Sequence, residues 1–108
     1  MSYKLIAIPT FNKGLKRLLK KYISLKSEYA NLLEELQNNP TLGTKISDNC
    51  YKIRLAITSK GKGKSGGARI VTYVLVDNEE IYLLSIYDKA EQPNITDKDL
   101  QLLIKKLN

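Results

Sequence analysis

Cys50-Tyr51-Lys52-Ile53-Arg54-Leu55-Ala56-Ile57-Thr58 is the stretch that decides the fold. Its residues alternate, with Tyr51, Ile53, Leu55 and Ile57 on one side and Lys52, Arg54 and Ala56 on the other. That is the period of a strand with one apolar face and one outward face. Two further β-rich runs follow, Ala68–Val76 and Ile81–Tyr87, joined through the Asp77, Asn78, Glu79 turn as a hairpin. Three sequential strands predict an antiparallel meander.

Upstream the period changes. Tyr3–Ile8 reads as a short first strand closed by Pro9, with Thr10 placed to cap a helix. Phe11, Leu15, Leu18, Leu19 and Tyr22 then form one apolar stripe, and after a break at Ile23 and Ser24 the spacing returns in Leu25, Tyr29, Leu32, Leu33 and Leu36. Each stripe is too short to be stable alone, so the two predict an antiparallel helical hairpin packed on the sheet. Thr41–Asn49 reads as polar connection. Thr96 and Asp99 resemble a capping box, and Leu100, Leu103, Ile104 and Leu107 carry a last helical stripe. The expected fold is α+β in the order β-α-α-β-β-β-α, one domain over residues 1–108, with a small, mainly antiparallel sheet against the hairpin.

The chain has 108 residues, 18 Lys plus Arg against 11 Asp plus Glu, and a formal charge of +7. Such a surplus favours phosphate-bearing or acidic partners. With no histidine and one cysteine, Cys50, the familiar zinc spacings, an intramolecular disulfide and His-dependent hydrolysis are all excluded. Cys50 reads as a small buried hydrophobe at a strand start. The first 25 residues offer no apolar run fit for a signal peptide or a spanning helix, so a cytoplasmic protein is expected.

Gly61, Gly63 and Gly66 spell G-x-G-x-x-G, but a strand follows where a dinucleotide site needs a helix. A phosphate-loop reading of Gly63-Lys64-Ser65 fails because Thr58 stands where the first glycine belongs. The Ser59–Gly67 loop is either a solvated hairpin connection or a basic flap whose Lys60, Lys62 and Lys64 close over a nucleic-acid backbone. The sheet is more specific: Lys52 and Arg54 share a face, Arg69 opens the next strand and Lys89 follows the last. Tyr73 and Tyr87 are near enough in sequence to offer stacking for an unpaired base. Asp88 reads either as a partner of a neighbouring cation or as part of the site. The basic residues Lys13, Lys16, Arg17, Lys20 and Lys21 of the first helix read as its solvated side or as an RNA-facing surface.

In this order, Tyr51-Lys52-Ile53-Arg54-Leu55, Ala68-Arg69-Ile70-Val71-Thr72-Tyr73 and Ile86-Tyr87-Asp88-Lys89, set behind a helical hairpin, resemble the RelE/ParE toxin superfamily over nearly the whole chain. The resemblance implies the toxin of a type II toxin-antitoxin module, with a cognate antitoxin as partner and neither membrane nor small-molecule cofactor. RelE-like members are ribonucleases that cut messenger RNA, mostly in the ribosomal A site, whereas ParE-like members poison DNA gyrase. The Gly-Lys-Ser-rich segment before Arg69 resembles one branch of these toxins in particular; a RelE-like ribonuclease is the preferred expectation, with gyrase poisoning and a non-catalytic basic RNA-binding module as the alternatives. Carried over, Lys52, Arg54, Arg69 and Lys89 form the catalytic set, with Lys52 as base candidate and Lys89 as acid or phosphate ligand. Lys60, Lys62, Lys64, Tyr73, Tyr87 and Asp88 are candidate substrate contacts. Attack by a ribose 2′-hydroxyl needs a base, an acid and cations around the phosphorane, and no metal. The chain departs from the family in having no tyrosine between Ala90 and Asn108; either Tyr87 substitutes, or Asp88 with Lys89 matches the branches that use an Asp next to a His or Lys there.

Overall fold

The computed structural model describes residues 3–60 and 66–107. The elements are β1 (Lys4–Ala7), α1 (Pro9–Lys21), α2 (Leu25–Asn38), β2 (Thr44–Ser47), β3 (Cys50–Leu55), a 3-10 turn at Thr58–Lys60, β4 (Ala68–Leu75), β5 (Glu80–Asp88) and α3 (Asp97–Lys105). The sheet runs β1-β5-β4-β3-β2, with β2 to β5 antiparallel and β1 parallel to β5, Lys4 opposite Glu80. The meander, the hairpin of helices and the last helix therefore stand as expected, and β2 is an additional strand inside what reads as a polar connection.

Three local details differ from the expectation for physical reasons. The first helix is capped by Ile8 without a side-chain bond, and Pro9 rather than Thr10 opens it; a proline suits the first turn, whose N–H groups have no intrahelical partner. β3 stops at Leu55 because Thr58 turns away, its N–H donating to Glu28 Oε2 at 2.8 Å. β2 pairs with β3 through a two-residue Asp48-Asn49 turn, Ser47 opposite Cys50, and Asn49 takes the left-handed φ of 65°, a conformation Asn tolerates. At the C-terminal end Thr96 caps α3 as expected, its Oγ1 accepting from Asp99 N at 3.1 Å.

The apolar face of the sheet, including Ile53, Leu55, Ile70 and Ile86, packs with Phe11 and Leu18 of α1 and Leu25, Leu32 and Leu36 of α2, all of them buried. Gly14 explains how closely α1 lies on β5: a Cβ there would stand 2.9 Å from the Ile86 carbonyl oxygen. Among the described residues, no helix is long and apolar enough to cross a membrane.

Candidate nucleic-acid interface

Strand register assembles the site. Arg54 lies opposite Arg69, and Arg69 opposite Tyr87, so the three form one row across β3, β4 and β5. Their neighbours along the strands, Ile53, Leu55, Ile70 and Ile86, are the buried residues of the hairpin face, so alternation turns the row to the other side of the sheet. One step along that side, Lys52 aligns with Val71 and Ser85. Like charges placed directly opposite each other destabilise an antiparallel pair. Arg54 and Arg69 nonetheless stand opposite each other, which gathers two guanidinium-bearing side chains at one point of the sheet.

Arg54 is exposed, whereas Arg69 is 4% exposed with its guanidinium donating to the Ala68 carbonyl. Tyr87, equally buried, has a hydroxyl with no hydrogen-bond partner among the described residues. Burial pushes its phenol pKa up, with Arg69 pulling the other way, so near neutral pH it is a proton-bearing donor. Buried polar atoms are nearly always partnered, and among the described residues this hydroxyl shares its unbonded state with Thr72 Oγ1. Lys52 Nζ donates to Asn94 Oδ1 at 3.2 Å. Lys89 is next in alternation after Tyr87, half-buried, its N–H bonded to the Gly67 carbonyl at 3.0 Å.

This face is partly covered. Ser85 lines a recess together with Gln92, Ile95, Leu102 and Leu103, which places α3 and the segment leading to it over the β5 side of the sheet. The row remains open toward β3, where Arg54 lies.

Lys60 and Asp88 do not join the row. Asp88 is one residue beyond Tyr87, so it faces the helices, and there its side chain is fully buried. Its Oδ1 accepts from Lys60 Nζ at 2.6 Å and Ala90 N at 2.9 Å, its Oδ2 from the Tyr22 hydroxyl at 2.6 Å, and Lys21 Nζ stands at 3.9 Å. Burial raises the carboxyl pKa, but the hydrogen bonds from Lys60, Tyr22 and Ala90 outweigh it and hold the pKa at about 2. Both residues expected as substrate contacts are thus committed to each other inside the structure. Tyr73 shares the row's side, but lies four residues along β4 from Arg69, ~13 Å away, and packs on Tyr82 with ring centroids 6.5 Å apart. Lys62 and Lys64 lie outside the described residues.

Sequence reasoning missed Asn94 and Tyr22, since an isolated polar residue in a loop and a tyrosine in an apolar stripe carry no signal of their partners. On α1, Arg17 and Lys21 are held by Glu91 at 2.6 and 3.3 Å, while Lys13, Lys16 and Lys20 are exposed. Cys50 is buried and burial, helped by Asp48, pushes its thiol pKa up to about 11, which leaves it unreactive.

No family model matches the chain. Among solved structures it superposes on the E. coli toxin RelE. A double arginine-to-alanine mutant in the free state gives a TM-score of 0.62 at 18% identity over 100% of both chains. The isolated RelE toxin gives 0.57 at 18%, covering 99% of this chain and 100% of that one. The mutant in complex with an antitoxin RelBc peptide gives 0.58 at 19% over 94% of each. The class defined by sheet order, helical hairpin and final helix is thus the RelE fold. Among the solved structures that share this fold with the chain is the E. coli toxin RelE.

Proposed function

We propose that the chain is the toxin of a type II toxin-antitoxin pair, a metal-independent endoribonuclease that cuts messenger RNA and is held inactive by a cognate antitoxin. The observation that carries this reading is the row Arg54, Arg69, Tyr87, with Lys52 beside it, on a RelE fold. The RelE mutant seen with an antitoxin peptide supports the partner.

In this reading Arg54 and Arg69 clamp the scissile phosphate, because guanidinium stays charged and offers paired donors to phosphate oxygens. Lys52, two positions from Arg54 on the same side, is the base candidate for the 2′-hydroxyl. Tyr87 is the candidate substrate contact beside Arg69, and Lys89, one residue past β5, is the candidate acid or phosphate ligand. Charge developing on the phosphorane meets fixed cations in a partly buried site, where such stabilisation is strongest. Ribosome association would place the substrate and add contacts for the exposed α1 lysines.

The test is inducible expression of wild type and an Arg54→Ala, Arg69→Ala variant in a bacterium, with growth followed and messenger-RNA 5′ ends mapped. Growth arrest with new RNA ends in wild type, both lost in the variant, is the expected result. Arrest with DNA-damage signalling and no new RNA ends would replace the reading by gyrase poisoning. Unimpaired growth on wild-type expression would leave a non-catalytic binding module.

A further inference from the structure

The base candidate is the site residue with the least geometry of its own. Lysine carries a point charge on a flexible four-carbon stem, and general-base work needs the amine held within hydrogen-bond reach of one proton. Lys52 is half-buried, and its aligned neighbours on β4 and β5, Val71 and Ser85, are uncharged. Its Nζ donates instead to Asn94 Oδ1 at 3.2 Å.

Asn94 comes from the far side of the sheet. The chain leaves β5 after Asp88, two strands from Lys52, and two strand spacings are roughly 10 Å. To reach Lys52, the segment 89–94 crosses the cationic side above β4. Val71 lies on that side by alternation with Arg69 and is nevertheless 0% exposed, as a residue beneath the crossing must be. The crossing is anchored along its length. At its start Glu91 N and Gln92 N donate to the Asp88 carbonyl at 3.0 and 2.9 Å, and Ala90 N donates to the Asp88 side chain. Glu91 is held from α1 by Arg17 and Lys21. At its end Gln92 Nε2 donates to the Asn94 carbonyl at 3.0 Å, Pro93 fixes its own φ between them, and Thr96 caps α3 two residues later. Asn94 is exposed, yet the backbone on both sides of it is fixed. The buried Asp88 grouping on the helix face is therefore the footing of a turn that carries an amide to the opposite face.

We propose that Asn94 is a positioning residue for Lys52: its amide oxygen takes one N–H of the amine and leaves the nitrogen lone pair aimed at a ribose 2′-hydroxyl beside Arg54. On the toxin reading, on which this role rests, the hydroxyl proton passes to Lys52 Nζ as the 2′-oxygen bonds to phosphorus, and the 5′-oxygen leaves with a proton from the acid candidate Lys89. The bond to Asn94 strengthens as the amine becomes ammonium, because a charged donor makes the stronger hydrogen bond. The contact is thus worth more in the transition state than before it.

The test is the cleavage kinetics of a messenger RNA on ribosomes with wild type, Asn94→Ala and Asn94→Asp, unfolding midpoints being measured alongside. Asn94→Ala should lose at least about tenfold in kcat, with KM and the unfolding midpoint nearly unchanged. Asn94→Asp keeps an acceptor and adds a charge. It should recover most of the rate at high pH, and the rise of rate with pH should move upward by about one unit, because a carboxylate within hydrogen-bond reach favours the protonated amine. The other charges around Lys52, Arg54 and Arg69 on the sheet and Glu28 and Glu35 on the α2 wall of the adjoining cleft, are the same in all three proteins. The proposal is overturned if Asn94→Ala cuts at the wild-type rate, if its loss lies in KM alone, or if the pH profiles of wild type and Asn94→Asp coincide; each of these leaves the toxin reading standing. Wild type that leaves the RNA uncut overturns both together.

Discussion

Two charged groupings lie at the same end of β4 and β5, back to back. On the helix face, Asp88 gathers Lys60, Tyr22 and a backbone N–H, each partner within 2.9 Å. On the other face, Arg54 and Arg69 stand opposite each other beside a phenol whose hydroxyl is unbonded. The first is closed, with every oxygen of its carboxylate answered. The second sets two arginines opposite each other beside a phenol whose hydroxyl has no hydrogen-bond partner among the described residues. Acidic and basic residues adjacent in sequence thus serve different ends, and the single residue of alternation between Tyr87 and Asp88 decides which is which.

The sharpest way to break this comparison is Asp88→Ala. Removing one partner of a buried pair strands Lys60, and a loss of about 3 kcal/mol or more is expected in denaturant unfolding. The same carboxyl sets an acid limit: its folded pKa of about 2 lies below the ordinary 3.8, so its stabilisation is present above that ordinary value and is lost as pH falls toward 2. Unfolding measured from pH 5 to pH 2 should show this decline, and Asp88→Asn should flatten it. A smaller effect of opposite sign is expected on the other face. Tyr87→Phe removes an unbonded buried hydroxyl, so the free chain should gain up to about 1 kcal/mol and, on the toxin reading, lose RNA cleavage. A loss of stability would show that the hydroxyl is satisfied in the folded chain. Smallest of all is the exposed Arg17–Glu91 pair, where a double-mutant cycle should return a coupling indistinguishable from zero; a clear coupling would make the α1 surface part of the closed grouping.

The meander is legible because Tyr51, Ile53 and Leu55 alternate with polar residues and two β-rich runs joined by a turn follow, and the helices because their leucines repeat on one stripe. β2 escaped notice because Thr44–Ser47 is short and mostly polar; the Asp48-Asn49 pair before Cys50 was its one available signal. The parallel pairing of β1 with β5 depends on where a helical crossover returns the chain, which local pattern does not specify. In the site, the shared side of Lys52 and Arg54 follows from alternation within one strand. Their juxtaposition with Arg69 and Tyr87 needs the register between strands, which sequence leaves open. Lys60 and Asp88 looked like substrate contacts because charge is visible in a sequence and its partner is not.

The pairing of Lys4 with Glu80 has a consequence for the timing of synthesis. A chain emerging from its N-terminus presents β1 long before β5 exists, so the first strand waits while the helices and the meander are made, and contacts so distant in sequence form late. The row is completed by Tyr87 of that same β5. On the toxin reading, a half-made chain carries arginines but no finished cleavage surface, and the message that encodes it is read almost to the end of β5 before that surface can assemble.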